Sequence, residues 1–438
     1  MRILPLSLFA VLLHAQDFTP LEQTAREEMG RLNIPGAAIA IVRGDQVIYS
    51  QVLGVASVET GEPVRPGMLF RLGSTTKQLT AAAVVGLAVE GKLDLNAPVS
   101  KYLAGLPPRI GAVTTNQLLS HTAGIRDEAP MYGSHDDGAL GYGIRNWTDE
   151  WLFTQPGRIF SYSNPGYWLA GYLLESITGK PYADAMEERL FRPLSMSHTT
   201  VRPTTAMTYP LSQGHEIASG KPVVVRPAAD NTATWPAGSV FSTTADLARW
   251  TIAVMNRQGI DPRVIDLMTQ PHAHYPSSGN TYGYGLTLMT VSGVRLWDHT
   301  GSRAGYGSQI RMAPDQKVAI IVQTNRTGAN LPDTVLTAMQ LLLPLARSGF
   351  AAMPRPLSAC AAENAARITG VWRNGADRIE IAARAGKLYL KRGAGTEAAI
   401  RGCSATRFIT ESGTSFEVVV GTDGEPAYLH TGSRSFAK

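Results

Sequence analysis

Cysteine is almost absent from this chain of 438 residues. Cys360 and Cys403 both fall in the last fifth, so everything before them must fold without a disulfide. A bridge between the two suits an exported protein; a pair of buried thiols is the alternative. Runs of Lys or Arg are missing as well. The net charge is +5, but the basic residues are scattered through the first 350 positions, which gives nucleic-acid binding no support. After the N-terminus no run of about twenty apolar residues occurs, so no membrane span is expected. Gly-x-Ser-x-Gly, phosphate-loop and dinucleotide fingerprints are all lacking. That argues against an α/β-hydrolase elbow and against nucleotide cofactors. His272-Ala-His274 has no third histidine or acidic partner in the sequence and reads as a surface loop, not a metal site. Nothing in the chain asks for a cofactor.

What is present begins with a secretory signal. Residues 1–15 combine Arg2, a mostly apolar stretch from Ile3 to Leu13 and the small Ala15. The expected product is an exported protein, periplasmic or secreted. Hydrophobic residues make up 44% of the chain, enough for a large core and more than one domain.

The stretch that organises the rest is Arg71-Leu-Gly-Ser-Thr-Thr-Lys-Gln78. Leu79 to Val89 is apolar on nearly every face and unbroken by proline, so it reads as a helix buried inside a large domain, ended by Gly91. Ser74 and Lys77 are three apart and share one face of that helix. A serine hydroxyl needs a neighbour to take its proton, and a lysine stripped of water can have a lowered pKa. The plain alternative is a helix cap, with Thr75 and Gln78 matching a capping box.

Along the chain, Leu21 to Met29 reads as a helix, and Gly36–Val42 and Gln46–Leu53 as a hairpin turned at Gly44-Asp45. Arg126 to Pro156 is loop-like. Helices are expected over Thr115–Ser120, Tyr167–Thr178, Tyr182–Leu190, Thr243–Met255 and Pro332–Leu345. Strands are expected over Leu296–His299, Gly307–Met312 and Lys317–Thr324. Strands at both ends of residues 17–347, with helices between, imply an α+β fold: an antiparallel sheet flanked by helices, with a helical insertion. Residues 348–357 read as a linker. Residues 358–438 are short alternating strands between Gly-rich turns, a small all-β sandwich or barrel.

Ser74-Thr-Thr-Lys77, Tyr162-Ser-Asn164 and His299-Thr-Gly301 follow one another in order. The set resembles the serine penicillin-recognising hydrolases, in the branch of class C β-lactamases, DD-peptidases, D-aminopeptidases and related esterases. The resemblance covers nearly all of residues 20–347 and implies a β-lactamase/transpeptidase-like fold. It implies that Ser74 is the nucleophile of an acyl-enzyme. Lys77 and Tyr162 would share the proton work, with Tyr162 as general base, its ionised form stabilised by the neighbouring ammonium. Asn164 would contact substrate or Lys77, and His299, Thr300 and Gly301 would form the opposite wall. The backbone N–H groups of Ser74 and Ser302 would form the oxyanion hole. β-Lactamases of this branch usually carry lysine where this chain has His299, and a histidine is only partly charged near neutrality. The implied activity is therefore a DD-peptidase or D-amino-acid amidase. A carboxylesterase, a β-lactamase and a penicillin-binding sensor with little turnover are the alternatives. The partner is a small molecule or peptide, and oligomeric state is open. The C-terminal module is similar to lipocalin-like domains appended to some members.

Overall fold

The computed structural model describes residues 16–128, 130, 132–276, 279–345, 367–404 and 406–438. The expected signal peptide, the linker over 348–357, Cys360 and the side chain of Cys403 lie outside them.

The strand Gly36–Arg43 is buried from Gly36 to Val42, the pattern of a strand covered on both faces. Its alternation sorts the two faces. Ala37, Ile39 and Ile41 pack with Leu21, Ala25, Val335 and Met339 of the helices Thr19–Arg31 and Pro332–Leu342. Ala40 and Val42 face the larger core built by the helices Thr76–Val89, Asn164–Thr178 and Thr244–Asn256. Across the sheet the strands run Gln46–Gly54, Gly36–Arg43, Val318–Thr324, Tyr306–Ala313, Val294–Arg303, Thr287–Val291, Thr281–Tyr282 and Ala273–His274. Every pairing is antiparallel. The two terminal helices are tied together by the buried Glu28. It accepts from Asp333 N, Thr334 N and Thr334 Oγ1 at 3.0, 2.9 and 2.7 Å, placing a carboxylate on a helix N-terminus.

Three local expectations are corrected. Thr75 and Gln78 form no capping box. Thr75 Oγ1 donates to Leu72 O at 3.0 Å, and Gln78 Oε1 accepts from Trp250 Nε1 at 2.7 Å. A capping box forms instead at Thr114 and Gln117. Within the loop-like stretch 126–156 lies the helix Ala139–Arg145, whose Leu140 and Ile144 are buried. Its glycines hid the helical spacing; a Cβ at Gly141 would meet the Tyr172 ring at 2.6 Å. Finally, His272-Ala-His274 is no surface loop: Ala273–His274 is a strand with Ala273 buried, and with Thr281–Tyr282 and Thr287–Val291 it extends the sheet in pieces too brief to show a period.

From Gly370 onward the chain forms a closed eight-stranded antiparallel barrel. Its core holds Trp372, Ile379, Phe408, Phe416, Leu429 and Phe436. Among the described residues no helix is long and apolar enough to cross a membrane.

The strand Val294–Arg303 presses on the turn before the Thr76–Val89 helix so tightly that only glycine fits at 301. A Cβ there would fall 1.9 Å from Leu72 O and 2.3 Å from Ser308 Oγ. Gly301→Ala is expected to cost about 1–3 kcal/mol through overpacking. Thermal denaturation beside the unaltered chain checks it; an unchanged melting temperature contradicts the close approach.

Candidate active site

Ser74 lies in a single 3₁₀ turn, Gly73–Thr75, just ahead of the helix Thr76–Val89. Gly73 takes a left-handed φ of 57°, and a Cβ on it would lie 2.5 Å from Ser302 N. The backbones carrying Ser74 and Ser302 therefore adjoin. Lys77, one turn on, is fully buried. Its Nζ sits 3.2 Å from Ser74 Oγ, 2.7 Å from Asn164 Oδ1 and 2.7 Å from the carbonyl of Ala237. Burial pushes the Lys77 pKa well below the ordinary lysine value; Asp127 opposes the shift, while Arg434 and Arg303 add to it.

Tyr162 reaches the same nitrogen side-on. Lys77 Nζ stands 4.7 Å from the centre of its ring. The phenol is enclosed by His121, whose ring centroid is 4.2 Å away. His121 Nδ1 accepts from Ser163 N at 3.1 Å, which fixes the loop that carries Tyr162. Burial drives the Tyr162 pKa far up; the nearby Ser74 hydroxyl pulls the other way and loses. The Tyr162 oxygen is buried and has no well-formed hydrogen bond. The expected stabilisation of the phenolate by a neighbouring ammonium does not figure in this balance, in which desolvation dominates.

Asn164 starts the helix Asn164–Thr178, where Ser163 caps it by accepting from Gly166 N at 3.3 Å. Its orientation is set by Asp127, a residue the sequence reading missed. Asp127 Oδ1 accepts from Asn164 N at 2.8 Å and from Asn164 Nδ2 at 3.0 Å. With its amide nitrogen held there, Asn164 must present Oδ1 to Lys77.

The other wall is the strand Val294–Arg303. His299 is buried, with Nδ1 2.6 Å from Thr300 O and Nε2 3.0 Å from Tyr282 OH. Burial, reinforced by Lys77, pushes its pKa down to about 4. The partly charged histidine expected from the sequence is therefore a neutral one, its Nδ1 proton on a carbonyl and its Nε2 accepting from a phenol. Thr300 and Ser302 are exposed on the same strand. A cleft of about 460 Å³ opens beside Ser74, bordered by Asn164, Gly238, Ser302 and Arg303. His272, half of the His-x-His pair, stacks on Tyr284 with ring centroids 3.8 Å apart, and its Nε2 lies 2.7 Å from Leu267 O.

The barrel contributes directly to this site. Ser433 O accepts from Tyr162 N at 2.8 Å. Ser435 N donates to Ser161 Oγ at 3.1 Å, and Ser435 Oγ donates to Phe160 O at 2.8 Å. Arg434 Nε donates to Asp127 Oδ2 at 2.8 Å, with a second bond from its terminal nitrogen to the same oxygen. One carboxylate thus links the barrel to Asn164 and, through it, to Lys77. A pair 307 residues apart leaves no local trace in sequence.

A serine one turn from a buried lysine, set between a tyrosine-bearing loop and an antiparallel sheet, defines the class of β-lactamase-like serine-hydrolase folds. The family model for beta-lactamase matches residues 21–343, and the chain belongs to that family. It is similar to protein flp of Staphylococcus aureus (strain MW2), 26% identical over 324 residues that cover 72% of this chain and 64% of flp, so it spans less than two thirds of that relative. Over nearly its whole length it is similar to the crystal structure of SurE, with a TM-score of 0.79, 25% identity, and 96% and 98% of the two chains covered. SurE has also been solved with D-Leu. The D-alanine carboxypeptidase AmpC of Burkholderia cenocepacia aligns with a TM-score of 0.61 and 25% identity over 74% of this chain and 99% of its own.

Asp127→Ala removes the acceptor that aims Asn164 and leaves Arg434 without its buried partner. The chain should lose about 1.5–3 kcal/mol of stability, the worth of a charge-assisted hydrogen bond. Thermal denaturation beside the unaltered chain measures it; an unchanged melting temperature contradicts the buried Asp127 contacts.

Proposed function

We propose that this chain is a serine hydrolase that forms an acyl-enzyme on Ser74 and cleaves an amide, as a DD-peptidase or D-amino-acid amidase does. The observation that carries the reading is the set of three contacts at Lys77 Nζ. A neutral amine has two N–H donors and one lone pair. Asn164 Oδ1 and Ala237 O can only accept, so they take both donors. The lone pair is left for the Ser74 hydroxyl. A buried lysine with a strongly lowered pKa supplies that neutral form.

On this reading Lys77, not Tyr162, takes the proton as Ser74 Oγ bonds to the substrate carbonyl. The tetrahedral oxygen is held by the N–H groups of Ser74 and Ser302. Tyr162, a neutral phenol, gives its proton to the departing amine and is reprotonated from the Lys77 ammonium. Water then repeats the sequence on the ester, with the Ser74 oxygen as leaving group. The neutral His299, with Thr300 and Gly301, lines the strand along which substrate backbone lies. The D-amino-acid class is supported by two similar structures, one described as a D-alanine carboxypeptidase and one solved with D-Leu. Export is part of the same proposal and rests on residues 1–15 of the sequence.

Intact-protein mass spectrometry with a penicillin, alongside release of D-alanine from a D-Ala-D-Ala peptide, tests the function. The expected result is a Ser74-dependent adduct with penicillin and D-alanine release, both lost in Ser74→Ala. Hydrolysis of short esters without either would favour the esterase. A lasting adduct without peptide turnover would favour the sensor, and consumed penicillin without an adduct would mean a β-lactamase.

The pH dependence separates the two bases. Below its pKa, Lys77 is an ammonium with no lone pair, so acylation should fall as pH is lowered through that lowered value and stay flat above it. A rate that is still climbing well above pH 10, with no plateau, would assign the base to Tyr162, whose pKa burial holds far above the ordinary phenol value.

A further inference from the structure

The cleft beside Ser74 has a side on which the catalytic groups are silent. Arg303, at the end of the strand Val294–Arg303, borders it together with Thr234 and Ala304, on the far side of Ser302 from His299. Among the described residues no carboxylate pairs with this guanidinium. Its one hydrogen bond runs from a terminal nitrogen to Thr234 Oγ1 at 3.3 Å, and its Nε is buried without a partner. A half-buried guanidinium with five donors and one long bond is unusual, because buried charges are normally paired.

The nearby acid does not relieve it. Asp230 Oδ1 accepts from Arg71 at 2.5 Å and from Trp235 Nε1 at 3.2 Å, while Oδ2 meets His135 Nδ1 at 2.9 Å. Arg71 and Asp230 cancel, so Arg303 is the surplus positive charge of the group. Burial and then the charge of Arg71 push the Arg303 pKa down to about 9, still high enough to leave it charged at neutral pH. Glu216 also borders the cleft, but it is exposed and makes no ion pair with Arg303.

We infer that Arg303 anchors a carboxylate on the acyl half of the substrate, the half that stays on Ser74 after the leaving group has gone. This rests on the acyl-enzyme reading above. The side is set by geometry. The oxyanion position lies between Ser74 and Ser302, and His299 lies up-strand of it. Tyr162 lies with His299, their ring centroids 6.3 Å apart, so a leaving group that takes its proton from Tyr162 departs on that side, and the pocket past Ser302 is left to the acyl half. A planar carboxylate offers two acceptors to the free face of the guanidinium, the geometry that arginine recognises best.

The test uses the full chain and two D-alanine p-nitrophenyl esters that differ in one group: N-succinyl, with a free carboxylate, and N-succinamyl, its neutral isostere. The wild type should favour the succinyl ester in kcat/KM by about tenfold or more, as charge-assisted hydrogen bonds predict. Arg303→Gln keeps a donor for Thr234 and should erase that preference, and Arg303→Lys should restore part of it. Added salt should narrow the wild-type ratio. Equal rates for the two esters in the wild type, or the same ratio in Arg303→Gln, overturn the assignment while leaving the acyl-enzyme in place. Release of p-nitrophenol from both esters that Ser74→Ala leaves undiminished overturns both. The wild-type comparison stands whether or not a variant folds.

Discussion

The nitrogen of Lys77 is the point on which the site depends. It is buried to the last atom, so it must either carry a charge at a heavy desolvation cost or shed its proton. Burial weighs toward the neutral amine, while the oxygens of Asn164, Ala237 and Ser74 fix where the nitrogen sits. That single requirement explains other parts of the molecule. The helix Thr76–Val89 is apolar all round because it must bury Lys77. Asn164 must face its oxygen inward, hence Asp127 behind it. Asp127 is itself a buried acid, and Arg434 satisfies it. Each polar group is tolerated in the interior because the next one completes its hydrogen bonds.

How much of this could be read from sequence follows from how local each device is. Ser74 and Lys77 share a helical face, and that spacing is written in four residues. Tyr162 and Asn164 are two apart, and His299 to Gly301 lie on one strand, so ordered motifs singled out residues that the fold brings near Lys77. The order of elements also disclosed the sheet, because the run of small and β-branched apolar residues in Gly36–Arg43 and in Val318–Thr324 is a property of each strand alone. Asp127 and Arg434 were not legible. One sits in an irregular loop with no period, the other in a hairpin of a different module, and only the packed structure brings them together. Thr75 and Gln78 misled for the opposite reason. Their local pattern is sound, but tertiary partners, Ser308 and Trp250, claimed both side chains.

The electrostatics of the two walls differ in kind. On the His299 side, burial and the nearby lysine keep the imidazole neutral, and Tyr282 supplies its hydrogen bond. On the Arg303 side a permanent cation is retained and left underused. Sequence alone would assign the adjustable charge to histidine, since its ordinary pKa lies nearest neutrality. Burial reverses this: the residue with the convenient pKa is silenced, and the one that always carries charge remains available.

The contact between Ser433 and the backbone of Tyr162 bears on how the protein comes into being. A chain emerging from the ribosome presents the residues of the sheet and its helices well before those of the barrel. During that interval Tyr162 N lacks its acceptor, and Asp127 is an acid without a cation. Both contacts wait for the barrel hairpin that carries Ser433 and Arg434. The setting of Tyr162 and Asn164 is thus complete only when the two modules are in contact. A chain cleaved ahead of the hairpin would keep Ser74 and Lys77 yet leave Tyr162 N and Asp127 Oδ2 without these partners.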